Sequence, residues 1–234
     1  MPNATSGRMI AAVLILIGAI LLIGALVTPW YSYESSGNGL SETRNYYLGM
    51  PSTNGTIQPV CSGLPSCPTQ TSYSTQNLNN TGSLAEAGFF MVIGGFALGI
   101  IAAILGVVSR RNPRRAAPVM ALAALALVLA IAAPGLFAVS LPGAAAKDSP
   151  GHLGSGPWSS FFGSNSTTIS GITITTTWGP GIGWYLSIVA FVILLVGVIL
   201  LARYRREPPQ PMTAPAPVVP TTSTMPPPSS PPAP

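Results

Sequence analysis

The sequence predicts an all-α membrane protein. It should be a four-transmembrane-helix bundle with a small extracellular antiparallel β-sheet formed by its two outer loops. Three observations lead there. The chain is 48% hydrophobic and only 6% charged, where soluble domains carry about 25% charge. Four long apolar runs contain no charged residue at all. Between the third and fourth runs, a polar loop switches to a β-branched alternation with a period of two.

The four runs are Met9 to Trp30, Ala87 to Val108, Ala116 to Leu141 and Ile182 to Ala202. Each is close to the ~20 residues that carry a helix across the hydrocarbon core. They leave outer loops at 31–86 and 142–181, a short basic turn at 109–115, and a tail. The membrane unit is therefore residues 1–206, and the tail is 207–234.

The charges orient the runs. Arg8 precedes the first run; Arg110, Arg111, Arg114 and Arg115 fill the turn between the second and third; Arg203, Arg205 and Arg206 follow the fourth. Only Arg44 and Lys147 fall in the long loops. By the positive-inside rule, both termini are cytoplasmic and both long loops lie outside, which suits a multi-pass protein of the cell membrane. The basic residues are thus orientation determinants rather than a nucleic-acid surface, since none is interleaved with the aromatics that single-strand binding needs.

Interfacial aromatics mark the same boundaries. Trp30, Tyr31 and Tyr33 close the first run, and Trp184 and Tyr185 open the fourth, at the depth amphipathic rings prefer. Pro29 pushes the residue before it away from helix and should end the first span. That span is longer than the 7–15 residues of a signal-peptide core and shows no small-x-small cleavage site before Pro29.

Cys61 and Cys67 are the chain's two cysteines. In an outer loop they face an oxidising compartment, so a disulfide is the leading reading. The bridge would close a short ring worth about 2 kcal/mol of loop entropy. Free thiols and a metal or redox site are the alternatives. A metal site wants about four ligands, and the one histidine, His152, lies in the other loop. A redox dithiol usually shows Cys-x-x-Cys spacing.

In the second loop, Ile172, Ile174, Thr176 and Trp178 alternate with Thr173, Thr175 and Thr177, a strand pattern. The first loop offers strands at 45–50 and 56–61, broken by a turn at 52–55, with Pro59 restricting the second to an edge or bulge. Asn54, Asn79 and Asn165 each begin an Asn-x-Thr or Asn-x-Ser-type triplet in an outer loop and are candidate glycosylation sites.

Uncharged spans offer no obvious transport path. Glu86 should stand at the N-terminus of the second helix, stabilised by its dipole. Gly95, Gly99, Ala102 and Gly106 form small-xxx-small patterns that let helices approach closely. They serve packing within the chain or a face for another membrane protein. Pro134 and Gly135 should kink the third helix. The tail holds 12 prolines in its last 28 residues and should be disordered and polyproline-like, a spacer or a ligand for a cytoplasmic partner.

The topology, with Pro29-Trp30, the Cys61/Cys67 pair and Gly181-Ile-Gly-Trp184, resembles the claudin and peripheral-myelin-protein superfamily. The likeness covers residues 9–206. Several features depart from that family: no Gly-Leu-Trp precedes Cys61, the cysteines are closer together, and the second loop is longer. The resemblance implies a four-helix bundle capped by an outer sheet, and an adhesion, barrier or channel-auxiliary role without chemistry of its own.

The expected function is therefore a non-enzymatic membrane scaffold, with no cofactor, whose partners are the bilayer and other membrane proteins. Those partners would be copies of itself or a larger complex in which it is an accessory subunit. A pore lined by Gly, Ser and backbone between subunits, and a membrane enzyme, are weaker alternatives. The outer acids Glu34, Glu42, Glu86 and Asp148 show no ligand spacing, and His152 stands between Gly151 and Leu153.

Overall fold

A computed structural model describes residues 4–49, 56–63, 66–67, 69–108, 116–148 and 160–205. Four helices dominate it: α1 (Ala4–Val27), α2 (Asn79–Val108), α3 (Ala116–Asp148) and α4 (Ile182–Arg205). All four are long and apolar enough to cross a membrane, so the chain is a multi-pass membrane protein. Each helix packs on its two sequence neighbours, and α4 closes the ring on α1.

The bundle interior is rich in small residues, with Ile15, Leu22, Val92, Phe137 and Leu194 buried among them. Ala11, Ala19, Ala25, Ala102, Ala123, Ala126, Ala130, Ala133 and Ala190 are fully buried, while Ile20, Ile104, Val128 and Val139 point outward. In lipid there is no hydrophobic drive to bring helices together, so close backbone approach and dispersion must do it. Glycines give that approach. A Cβ at Gly99 would stand 2.9 Å from the Ala19 Cβ, one at Gly197 2.9 Å from Ile15, and one at Gly18 2.7 Å from Leu194. The α2 stripe of small residues faces this interior: Gly95 lies against Leu22 and Ala126, and Gly106 against Ala12 and Val119.

Six strands form one antiparallel sheet at the end of the bundle where α1 and α3 finish and α2 and α4 begin. They are β1 (Tyr31–Gly37), β2 (Leu40–Tyr46), β3 (Thr56–Ser62), β4 (Thr71–Ser72), β5 (Gly163–Ile169) and β6 (Ile172–Pro180), in the order β4-β3-β2-β1-β6-β5. The sheet therefore joins the segment after α1 to the segment before α4 through the β1–β6 pair, Tyr31 opposite Pro180 to Ser36 opposite Thr175.

Several expectations are corrected. The expected strand at 45–50 ends at Tyr46, and its pairing residues begin upstream at Leu40. β1 and β5 were not foreseen. Both belong to hairpins whose two-residue turns, Asn38-Gly39 (φ 52° and 78°) and Ser170-Gly171 (φ 52° and 84°), use positive φ at both positions, the backbone that matches strand twist. The first helix ends at Val27, so Pro29 and Trp30 lie beyond it. The second helix starts at Asn79, eight residues before the expected span, and the third runs on to Asp148, through Pro134 and Pro142 without interruption. The expected turn at 52–55 and the tail lie outside the described residues.

Glu86 is consequently two turns inside α2 rather than at its start. The helix N-terminus is capped from elsewhere. Asp148, at the last position of α3, accepts from the Asn80 and Thr81 backbone N–H groups and from Asn80 Nδ2, each at 2.8 Å. One carboxylate thus satisfies donors that the first turn of α2 cannot pair internally and ties α2 to α3.

The bundle and sheet meet at a lock. Gly181 N–H donates to the Trp30 carbonyl at 2.9 Å, and Gly183 N–H to the Pro29 carbonyl at 2.8 Å. Trp30 is fully buried and its indole donates to the Ala25 carbonyl at 2.6 Å. A Cβ on Gly183 would meet Trp30 Cδ1 at 2.6 Å, the Ala25 oxygen at 2.7 Å and the Thr28 oxygen at 2.8 Å. Gly183→Ala should therefore lower stability by about 1–3 kcal/mol, the usual cost of overpacking. Gly143→Ala, where a Cβ meets nothing within 4 Å, should not. Thermal midpoints of the two variants in one detergent, followed by tryptophan fluorescence, check the pair. Asp148→Ala should cost about 0.5–2 kcal/mol, as for a lost N-cap, in the same assay.

Candidate interaction surface

Strand alternation gives the sheet two faces. Tyr31, Tyr46, Ile57 and Trp178 share the face turned to the bundle and are buried. Their rings continue into the helices as a chain of contacts. Tyr46 meets Tyr31 at 5.9 Å between centroids, Tyr31 meets Phe161 at 5.9 Å, and Phe161 meets Phe137 at 6.4 Å and Trp184 at 5.6 Å. Trp184 then donates its indole N–H to the Pro134 carbonyl in α3 at 3.0 Å. Burial pushes the Tyr46 phenol up to about 12 and raises those of Tyr31 and Tyr73 as well, so these rings are neutral packing elements.

The opposite face carries Ser32, Glu34, Thr43, Asn45, Thr175 and Thr177. Ser32 donates to Asn45 Oδ1 at 3.0 Å. Glu34 sits on the central strand, paired with Thr43 on one side and Thr177 on the other. It borders an open groove of about 500 Å³ that ends at Phe162 and Tyr185. Glu42 is engaged by Arg44, whose Nε donates at 2.7 Å. Glu34, Thr43 and Thr177 can exchange hydrogen bonds with a polar partner. Among the described residues no group of three or more His, Cys, Asp or Glu could hold a metal ion.

Cys61 and Cys67 are joined in a disulfide, with Cα atoms 5.6 Å apart. The bridge anchors the end of β3. The two outer edges of the sheet differ. Tyr47 N–H donates to the Thr56 carbonyl at 3.0 Å, which sets the β2–β3 alternation. Ile57, Pro59 and Cys61 then direct their backbone polar groups away from β2. Ile57 is covered by Thr71 of the two-residue β4, Pro59 has no N–H, and Cys61 is tied to Cys67. This edge is blunted in ways natural sheets use against unwanted pairing. Among the described residues the β5 edge has none of them. It is seven residues of regular register without charge or proline, exposed from Ser164 to Ile169.

The remaining sequence candidates fall as follows. Asn79 is the first residue of α2, and Asn165 lies on exposed β5; Asn54 lies outside the described residues. Arg203 is exposed near the end of α4, at the bundle end opposite the sheet, where Arg8 donates to the Tyr204 carbonyl at 3.1 Å. Arg205 closes α4, while Arg110, Arg111, Arg114, Arg115, Arg206 and His152 lie outside the described residues. The open β5 edge was missed, although Ser170-Gly171 preceding the Thr/Ile alternation was a usable hairpin signal.

No protein-family model matches this chain, and no curated protein matches its sequence.

Replacing Cys61 and Cys67 by Ser should lower stability by about 2 kcal/mol and speed proteolysis near β3. An unchanged midpoint and unchanged digestion pattern would mean that β2 alone secures β3.

Proposed function

We propose that this protein is a non-enzymatic, claudin-like membrane scaffold that acts through contacts of its sheet. The observation that carries the reading is the construction of that sheet. Six strands from both loops are locked onto a four-helix bundle, leaving a hydroxyl-rich face and, among the described residues, an uncovered β5 edge. A rigid, wide, weakly charged surface held off a membrane suits recognition of another protein.

In this reading the protein lies in the cell membrane with its sheet outside and both termini cytoplasmic. Support comes from Arg8 and Arg203 at the end opposite the sheet and from the basic turn between α2 and α3. The Pro-rich tail would then be free to engage a cytoplasmic partner.

Mild-detergent purification of the tagged chain from its native membrane, followed by native mass determination, tests the proposal. A homo-oligomer, or a ladder of them, is the expected result. A fixed ratio to other subunits would replace it with the accessory-subunit reading, the function then belonging to the complex.

A further inference from the structure

We infer that the open edge of β5 is a pairing surface for β5 of a second copy of this chain, antiparallel and centred on Ser166. The inference rests on the scaffold reading and names its partner and its contact.

The backbone directions follow from the turn. In a two-residue hairpin the flanking residues form the closing hydrogen-bonded pair. Here those residues are Ile169 and Ile172. Hydrogen-bonded pairs then recur at Thr167 with Ile174, Asn165 with Thr176 and Gly163 with Trp178. The intervening pairs are those whose side chains approach most closely. Ser166 Oγ and Thr175 Oγ1 lie 3.2 Å apart, as do Thr168 Oγ1 and Thr173 Oγ1, which agrees with that assignment. Ser164, Ser166 and Thr168 therefore turn their N–H and C=O groups away from β6. Among the described residues no strand lies on that side.

Three residues with six outward backbone groups are self-complementary about the middle one. A second β5 turned by a two-fold axis through Ser166 sets Ser166 opposite Ser166. It also sets Ser164 opposite Thr168 of the second copy, and the reverse. All three would be hydrogen-bonded pairs, so every outward group on both strands finds a partner. An isologous contact of this kind closes on itself.

The chemistry fits the same occupant. A self-pairing strand places each central side chain beside its own copy, and like charges there would be destabilising. β5 has no charged residue: it reads Gly-Ser-Asn-Ser-Thr-Thr-Ile. The pairs it would create are serine with serine and serine with threonine, which interact favourably across strands. The protective devices sit on the other edge, at Pro59, β4 and the disulfide, so the chain blunts one edge and leaves the other able to pair.

The test uses the full chain in the membranes of the cells that make it. Ser166→Cys should give a dimer in high yield with a short thiol-to-thiol cross-linker, because a hydrogen-bonded antiparallel pair sets Cα atoms about 5.5 Å apart. Ser164→Cys or Thr168→Cys alone should give little. The two co-expressed should give a mixed dimer. Equal yields from all three single variants would mean a parallel or random encounter and would overturn the register.

Ser166→Pro removes an outward N–H without touching the β6 ladder; because it also breaks the Asn165-Ser166-Thr167 triplet, Asn165→Gln is its control and should leave the dimer intact. Ser166→Pro should cut the dimer fraction about tenfold while leaving tryptophan fluorescence and the Cys61–Cys67 bridge unchanged. If oligomers persist undiminished in Ser166→Pro and Ser166→Cys does not cross-link, the β5 pairing is wrong while the scaffold reading stands. A different protein displaced by Ser166→Pro would also overturn the second-copy assignment. Failure of the scaffold reading would instead appear as a fixed hetero-complex that ignores both variants.

Discussion

The sheet and the bundle of this protein depend on one crossing. Where α1 gives way to β1 and β6 gives way to α4, two chain segments pass close enough for their backbones to bond directly. Gly181 and Gly183 donate to the carbonyls of Trp30 and Pro29. A side chain at either glycine would collide with the other segment. The fully buried Trp30 fills the space beneath, and its edge-on contact with Phe137, 5.6 Å between centroids, carries the crossing into α3. Burying backbone polar groups without partners is costly, and here they satisfy one another. The direction in which β1 and β6 leave the membrane helices is fixed by that exchange, and the other four strands add outward from this pair.

A second constraint explains why so few charges suffice. Helices in lipid gain nothing by hiding leucine from lipid, so much of the interior goes to alanine and glycine, which let Ile15, Leu22, Phe137 and Leu194 pack closely between the helices. The polar obligations at the helix ends are met by very few groups. Asp148 caps α2 from the end of α3, and Thr28 bonds the Gly24 carbonyl at 2.8 Å at the end of α1. On the sheet, Glu42 is committed to Arg44. This leaves a surface whose capacity for contact lies in hydroxyls, backbone groups and the Glu34 carboxylate.

The spans were legible because hydropathy is a local property that tertiary packing does not have to supply. The disulfide was legible once the loops had been assigned to an oxidising side. The strand at 172–178 was legible because Ile172, Ile174 and Trp178 mark one face. β1 and β5 were not, because Ser-Tyr-Glu-Ser-Ser and Ser-Asn-Ser-Thr-Thr carry little apolar alternation. Their signal lay in the turns, Asn38-Gly39 above all. The start of α2 was hidden for another reason. Residues 79–83 are polar or glycine, and their helix is capped by a carboxylate 67 and 68 positions away in the chain, which no local window contains. Pro29-Trp30 and Gly181-Ile-Gly-Trp184, noticed separately as short motifs, turn out to be the two sides of one contact.

The difference between the edges ties these threads together. A sheet built outward from β1 and β6 must end somewhere on both sides. On the first-loop side the chain ends it three times over, with a proline, a two-residue strand and a covalent bridge. On the second-loop side it ends with a plain strand of serine and threonine. Stability does not require that asymmetry, since β5 gains its pairing from β6 whether or not its far side is capped. A charge or a proline at Ser164, Ser166 or Thr168 would have protected the edge without disturbing the ladder to β6. None stands at any of the three outward positions, in a protein that blunts its other edge with Pro59, β4 and the Cys61–Cys67 bridge.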